Sequence, residues 1–244
     1  MDAVYRIGTS GWHYPHWRGV FYPDALHESE WLGFYARHFD TVELNRSFYR
    51  LPTIKAVRDW MAATPEDFVF ALKASRFITH MKKLKDPGAS TAAFLPVVEA
   101  LGAKRGPVLF QLPPRWRCNP VRLAEFLAAW PADIPCVFEF RDPSWHCPEI
   151  YGLLRRHNAA FCIFDLAGFR SPAEVTADFA YVRLHGSGAA YSGRYGAALG
   201  EWAALIEGWS GLRAVWIYFN NDQGGYALRD ALELRDMLGG QCSR

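Results

Sequence analysis

Seven ionisable side chains stand at the ends of short apolar runs in this chain: Glu43, Lys73, Glu139, Arg141, Asp165, Arg183 and His185. The stretch FEFRDPSW (138–145) shows the pattern most plainly. In an extended strand its alternation puts Glu139 and Arg141 on one face and Phe138 and Phe140 on the other. VELNRSFY does the same for Glu43 and Asn45, and YVRLHG for Arg183 and His185. Carboxylates and a histidine in such company suit proton transfer, and arginines suit clamping a carboxylate or phosphate. Glu43 reads as a general base or metal ligand, with a salt bridge to Lys73 as the alternative. Lys73 would serve as a Schiff-base nucleophile if desolvated, although neighbouring carboxylates would hold it protonated. His185 suits the role of acid, base or ligand. Three acids against three bases could also form a self-neutralising network that only fixes strand register.

Around these charges the sequence offers polar groups for ligand contact. Asn45, Gln111, Tyr218 and Asn220 share the parity of the ionisable set on their strands. The first loop, GTSGWHYPHWRGVFYP, sets Trp12 among several aromatics, as a lid that stacks on a planar ligand or as a cap sealing the barrel end. The segment GSGAAYSGRYG, from Gly186 and Ser187 through Arg194, has the composition of a phosphate cradle or of a flexible connector.

The elements that must position these groups are short β-type runs alternating with amphipathic helices. The strands are expected at 4–10, 41–46, 68–75, 107–113, 136–141, 160–165, 179–185 and 214–220. Leu123, Phe126, Leu127 and Trp130 follow the helical period, and so do Ala227, Ala231, Leu234 and Leu238. Eight such units in one chain of this length give a single (β/α)₈ TIM barrel over 1–244, within the α/β class. The sixth unit is degenerate: SPAEV has room for a single helical turn. GTSGW after the first strand lacks the glycine spacing of a dinucleotide fold. In a barrel one strand face packs on the helices and the other fills the lumen, so the ionisable tips should converge at the C-terminal mouth.

Composition narrows the partners. A formal net charge of +2 over 244 residues gives no mandate for nucleic acid, and the one basic run, HMKKLKD, is short. Five cysteines without a CxxC pair argue against a disulfide scaffold or structural zinc. No basic-then-apolar leader opens the chain and no apolar run approaches a membrane span, so a cytoplasmic protein is the expectation. No cofactor is expected, although a divalent metal is conceivable at the acids and His185, and oligomeric state is left open.

IGTSGWHYPHWRGVFYP, VELNRSFYRLP, FVFALKASRFITH, LFQLPP, FEFRDPSW, TADFAYVRLHG and YFNNDQGGYA occur in that order from about residue 6 to 238. In these motifs the chain resembles the YecE-like proteins, a family defined as a domain of unknown function. The resemblance implies a TIM barrel with its mouth built from these motifs, and implies no reaction. The residues themselves favour an enzyme for a small anionic substrate, phosphorylated compounds among the candidates. Glu43, Glu139, Asp165, His185 and Lys73 would supply the chemistry, and Arg141 and Arg183 the clamps. A metal-dependent phosphoesterase or isomerase, and a non-catalytic ligand-binding or regulatory barrel, are the alternatives.

Overall fold

The computed structural model describes residues 3–186 and 188–239. Its strands are β1 (Val4–Thr9), β2 (Thr41–Leu44), β3 (Val69–Lys73), β4 (Arg105–Gln111), β5 (Cys136–Glu139), β6 (Ala160–Leu166), β7 (Phe169–Arg170), β8 (Phe179–Leu184) and β9 (Ala214–Phe219). All but the two-residue β7 are parallel staves of one sheet in the order β1-β9-β8-β6-β5-β4-β3-β2. Its helices are α1 (Trp31–Tyr35), α2 (Ile54–Ala62), α3 (Pro87–Thr91), α4 (Leu95–Glu99), α5 (Pro120–Ala129), α6 (Pro148–Arg156), α7 (Ala198–Glu207) and α8 (Tyr226–Met237). This is a nearly closed (β/α)₈ barrel, as the alternation predicts. Two of the longer helices, α2 and α5, begin where a side chain satisfies a free N–H group. The Thr53 side chain accepts from Ala56 N–H, and Asn119 accepts from Arg122 N–H just before Pro120.

The barrel closes at β1 and β2 through a side chain. The Tyr35 hydroxyl accepts from Thr9 N–H at 3.0 Å and donates to Thr41 O at 3.1 Å, bridging the two strands where ladder bonds would run. Gly8 permits the approach: a Cβ there would stand 2.4 Å from Thr41 O. At the lower end of the same seam Arg6 pairs with Asp40 at 2.7 Å.

The sixth unit departs from expectation. No helical turn forms at SPAEV; β6 instead folds back on β7 as an antiparallel hairpin, Leu166 opposite Phe169. Ala167 and Gly168 both take positive φ, 51° and 83°, as a two-residue hairpin turn demands. The chain then runs extended along β6. Ser171 and Thr176 side chains accept from Phe164 N–H and Phe161 N–H at 2.9 and 2.8 Å, which uses the backbone donors that a helix-covered strand would satisfy otherwise.

Two cores follow from strand parity. Outward residues such as Val42, Phe70, Phe110, Phe138, Ile163, Val182 and Ile217 pack with the helices. Ala71, Leu109, Val137, Cys162, Phe164, Tyr181, Trp216 and Tyr218 fill the lumen. Above this apolar filling, at the C-terminal ends, lie the charges.

Candidate ligand site at the C-terminal mouth

Glu43 at the end of β2 and Glu139 at the end of β5 face each other across the lumen, and Arg183 of β8 joins them. Its Nε and Nη2 donate to the two oxygens of Glu43 at 2.8 and 2.7 Å, and its Nη1 donates to Glu139 Oε2 at 2.6 Å. Ser10 and Tyr181 hydroxyls donate to Glu43 at 2.7 and 2.8 Å. Arg141 donates through Nε to Glu139 Oε1, lays its guanidinium 4.8 Å over the Phe164 ring, and sets Nη2 3.1 Å from His185 Nε2. Glu43, Glu139, Arg183 and His185 are all buried.

This saturation decides the electrostatics. Burial pushes the Glu139 carboxyl up, but Arg141 and then Arg183 outweigh it and hold it well below the usual carboxylate range. Glu43 behaves alike: burial raises it, and the charge and hydrogen bonds of Arg183 bring it below its ordinary value. Burial, followed by Arg183, drives the His185 imidazole down to about 4. Both guanidinium groups aim N–H at its Nε2, so that nitrogen accepts and Nδ1 carries the ring proton. The Asn220 amide, 3.0 Å from Nδ1, meets that proton when it presents its oxygen. At neutral pH the two carboxylates are therefore fixed counter-ions and the imidazole is neutral with its lone pair engaged.

Lys73 behaves differently. It ends β3 on the lumen face, half-buried, with Nζ 4.6 Å over the Phe48 ring and no carboxylate within 4.0 Å among the described residues. Burial and then the repulsion of Arg183 lower its ammonium to about 8. The neighbouring carboxylates, expected to hold it protonated, are already taken by arginine. Asn45, Gln111 and Arg141 stand at the ends of the adjacent strands; Asn45 donates to Ser10 O at 3.3 Å and accepts from Arg183 Nη2 at 3.4 Å. Gln111 bonds only Leu112 O through Nε2, and Arg141 Nη1 has no partner among the described residues.

Four expected contacts fall elsewhere. Asp165 has the opposite parity to Cys162 and Phe164, so it leaves the lumen and lies against Tyr195, facing Arg170. Tyr218 sits beneath the ion layer, its hydroxyl bonded to Thr41 Oγ1 at 2.6 Å. Trp12 packs edge-on against Trp60, outside the mouth, and lines a crevice of about 280 Å³ with His13 and Glu28. Gly186 is unavailable for a phosphate: its N–H donates to the Tyr195 hydroxyl, and at φ 108° a Cβ would meet Ala189 O and Ser192 O. Arg194, in the same loop, is bound to Asp230 and Glu233 of α8. Ser187 lies outside the described residues. In the first loop Trp17 is buried and its Nε1 donates to Asp222 at 2.6 Å. A second concavity, of about 300 Å³, lies at the opposite end of the barrel beside Arg6, Arg105, Arg213 and Trp216, away from the ion layer.

Sequence reasoning passed over Ser10 and Phe48. Ser10 follows β1 on the lumen parity of Gly8, which is the signal that would have found it. Phe48 gives no such signal, because it leaves β2 through a short turn at Arg46–Phe48.

Comparison with known proteins agrees with this architecture. The family described as "Protein of unknown function DUF72" matches residues 6–244. The UPF0759 protein YunF of Bacillus subtilis is 31% identical over 155 residues, covering 59% of this chain and 53% of the relative. The UPF0759 protein YecE of Escherichia coli K12 is 30% identical over 142 residues, 57% of this chain and 49% of the relative. The matched stretch thus spans about half the length of these curated relatives. A DUF72 family protein from Thermotoga maritima superposes with a TM-score of 0.86 at 28% identity, covering 97% of this chain and 99% of that one. A second, from Enterococcus faecalis, gives 0.84 at 21% identity over 98% and 97% of the two chains and shares the fold. With a match from Arg6 to the last residue and a barrel common to its solved members, this chain belongs to the DUF72 family.

Proposed function

We propose that the mouth binds a small anionic ligand, with Lys73 and Arg141 meeting its charge and Gln111, Asn45 and Asn220 orienting it. One observation carries the reading: with Asp165 outside, the cup holds two acids against three bases, and Lys73 is the cation left over. An unpaired, partly desolvated ammonium beside two guanidinium groups is costly, and an anion relieves that cost. Proton transfer in such a site falls to Lys73. Glu139 is held ionised far below neutrality, and His185 is neutral with Nε2 already accepting. An enzyme of this kind would use Lys73 as its acid or base near pH 8. A divalent cation finds no ready donor set there, because the oxygens of Glu43 and Glu139 are engaged by arginine, serine and tyrosine.

Calorimetry with inorganic phosphate and a panel of small phosphorylated and carboxylated compounds tests the reading. At least one should bind, weaken as pH rises through about 8, and lose tenfold or more in affinity in Lys73→Met. A panel with no binder, or an undiminished Lys73→Met, refutes it.

A further inference from the structure

Strands β2, β3, β4 and β5 stand side by side, so the loops that follow them line one half of the C-terminal face. Segments 45–53, 74–86, 112–119 and 140–147 together carry nine Lys or Arg and two Asp, a balance of +7 in a chain whose formal balance is +2. Including Glu149 in the first turn of α6 leaves +6. The loops of the other half, 10–30, 167–172, 185–197 and 220–225, carry three basic residues and four acids. Arg141 binds Glu139, and Lys82 lies 3.7 Å from Asp86. The other seven have no carboxylate within 4.0 Å among the described residues.

Aromatic faces are interleaved with this charge. Tyr49 is 74% and Phe77 40% exposed. Tyr49 and His80 each pack against Phe48, at 5.0 Å between ring centroids. Lys82 stands 5.8 Å over Phe77, and Lys83 stands 6.0 Å over Trp116 of the next loop. The basic loop is also held in shape. Leu84 is buried and donates to Ile78 O at 3.0 Å, while Lys83, Leu84 and Asp86 take φ of 48°, 63° and 49°. Three non-glycine residues in the left-handed region mark a loop whose conformation the surroundings impose. Buried Leu84 thereby splays Lys82, Lys83 and Lys85 into solvent.

We propose that this crescent binds single-stranded nucleic acid, its phosphates against the Lys and Arg groups and its bases on Tyr49 and Phe77. Unpaired basic groups attract a phosphate chain through counterion release, and exposed aromatic faces stack bases of any sequence. A duplex keeps its base faces to itself and leaves the aromatics unused. The near-neutral composition argued against nucleic acid only because the charge is divided among four loops that are distant in sequence. The inference rests on the surface around the cup and not on the ligand assigned to it.

Fluorescence anisotropy of the full chain with a labelled dT oligonucleotide of about 15 nucleotides provides the test. Log affinity should fall linearly with log salt between about 50 and 200 mM. Replacing Lys82, Lys83 and Lys85 by Ala should weaken binding at least tenfold and flatten the slope by about 2. Arg115→Ala with Arg117→Ala, on a separate loop, should act in the same direction. Tyr49→Ala should cost about tenfold with the slope unchanged. An unchanged melting temperature in each variant certifies the fold. The proposal is overturned by no binding at about 50 mM salt, by variants that bind like the parent, by preference for duplex, or by binding to anionic phosphatidylserine vesicles in place of the oligonucleotide.

Discussion

Within one mouth, two sets of charges are treated in opposite ways. In the buried layer every carboxylate oxygen of Glu43 and Glu139 meets a donor, and Arg183 spends its whole guanidinium edge on them. Over β3 to β5, Lys73 sits half-buried with no carboxylate within 4.0 Å among the described residues, and most of the loop cations above it are exposed and without one. A saturated layer is what a scaffold requires, since a buried ion without a partner costs several kcal/mol. An unsaturated rim adds nothing to folding and is available to a ligand. The difference therefore separates positioning groups from binding groups more surely than charge or burial alone.

The strongest way to break this division is Glu139→Gln. The substitution leaves Arg141 and Arg183 facing each other in a buried site with one counter-ion between them. A loss of about 3–5 kcal/mol in unfolding free energy is expected from denaturant titration. A variant that folds with parental stability and only loses ligand would move Glu139 from the scaffold to the binding set.

Acid sharpens the same contrast. Burial and Arg183 depress His185 in the folded state from 6.5 to about 4, so the unfolded chain binds the proton first. Its contribution is complete above pH 6.5 and is lost as pH falls towards 4, by about 3 kcal/mol. Glu139 and Glu43, also depressed, add to the loss below their unfolded values, near 4.5. Asp222, raised by burial to about 6, works in the opposite direction over part of this range, so the His185 contribution is read as the difference between the stability profiles of the parent and His185→Gln, which should open between 6.5 and 4.5. Identical profiles in the two proteins would mean that the layer is not closed to protons.

The sequence made the scaffold legible and hid this division, for identifiable reasons. Alternation exposes strands and their two faces wherever one face is polar, as in VELN and FEFR. In AFCIFDL both faces are apolar until the last residues, so polarity points Asp165 inward while Cys162 and Phe164 in fact occupy the lumen. Pairing is hidden altogether: nothing in the spacing of Glu43, Glu139 and Arg183 tells that one guanidinium engages both acids. The sixth unit misleads likewise, because SPAEV carries a helix-start pattern while the hairpin at Ala167 and Gly168 has already turned the chain back. The motifs carry the family resemblance regardless, which is why the barrel could be recognised where its charge arrangement could not.

Tyr35→Phe supplies a yardstick for scaffold alone. It removes a buried hydroxyl that bridges Thr9 N–H and Thr41 O at the seam and touches none of the rim cations. A loss of about 1–2 kcal/mol is expected, with anion and oligonucleotide affinity unaltered. A change in affinity would show that closure of β1 on β2 sets the geometry of the cup.

The smallest effect is the most discriminating, because its sign is opposite. Lys73 is desolvated beside Arg183 without a carboxylate of its own, and its ammonium is lowered to about 8. In an unfolded chain it titrates near 10.5, so its folded-state penalty is absent above that value and complete once pH falls through about 8. Lys73→Met keeps the packing on Phe48 and deletes the charge. At pH 7 it should raise unfolding free energy by about 1 kcal/mol, allowing for the partial access of solvent, and the gain should shrink towards pH 10. A residue whose removal stabilises the fold while abolishing anion binding is held there by its ligand. If Lys73→Met instead destabilised the protein, Lys73 would belong with Arg183 in the scaffold, and the rim would lose its central cation.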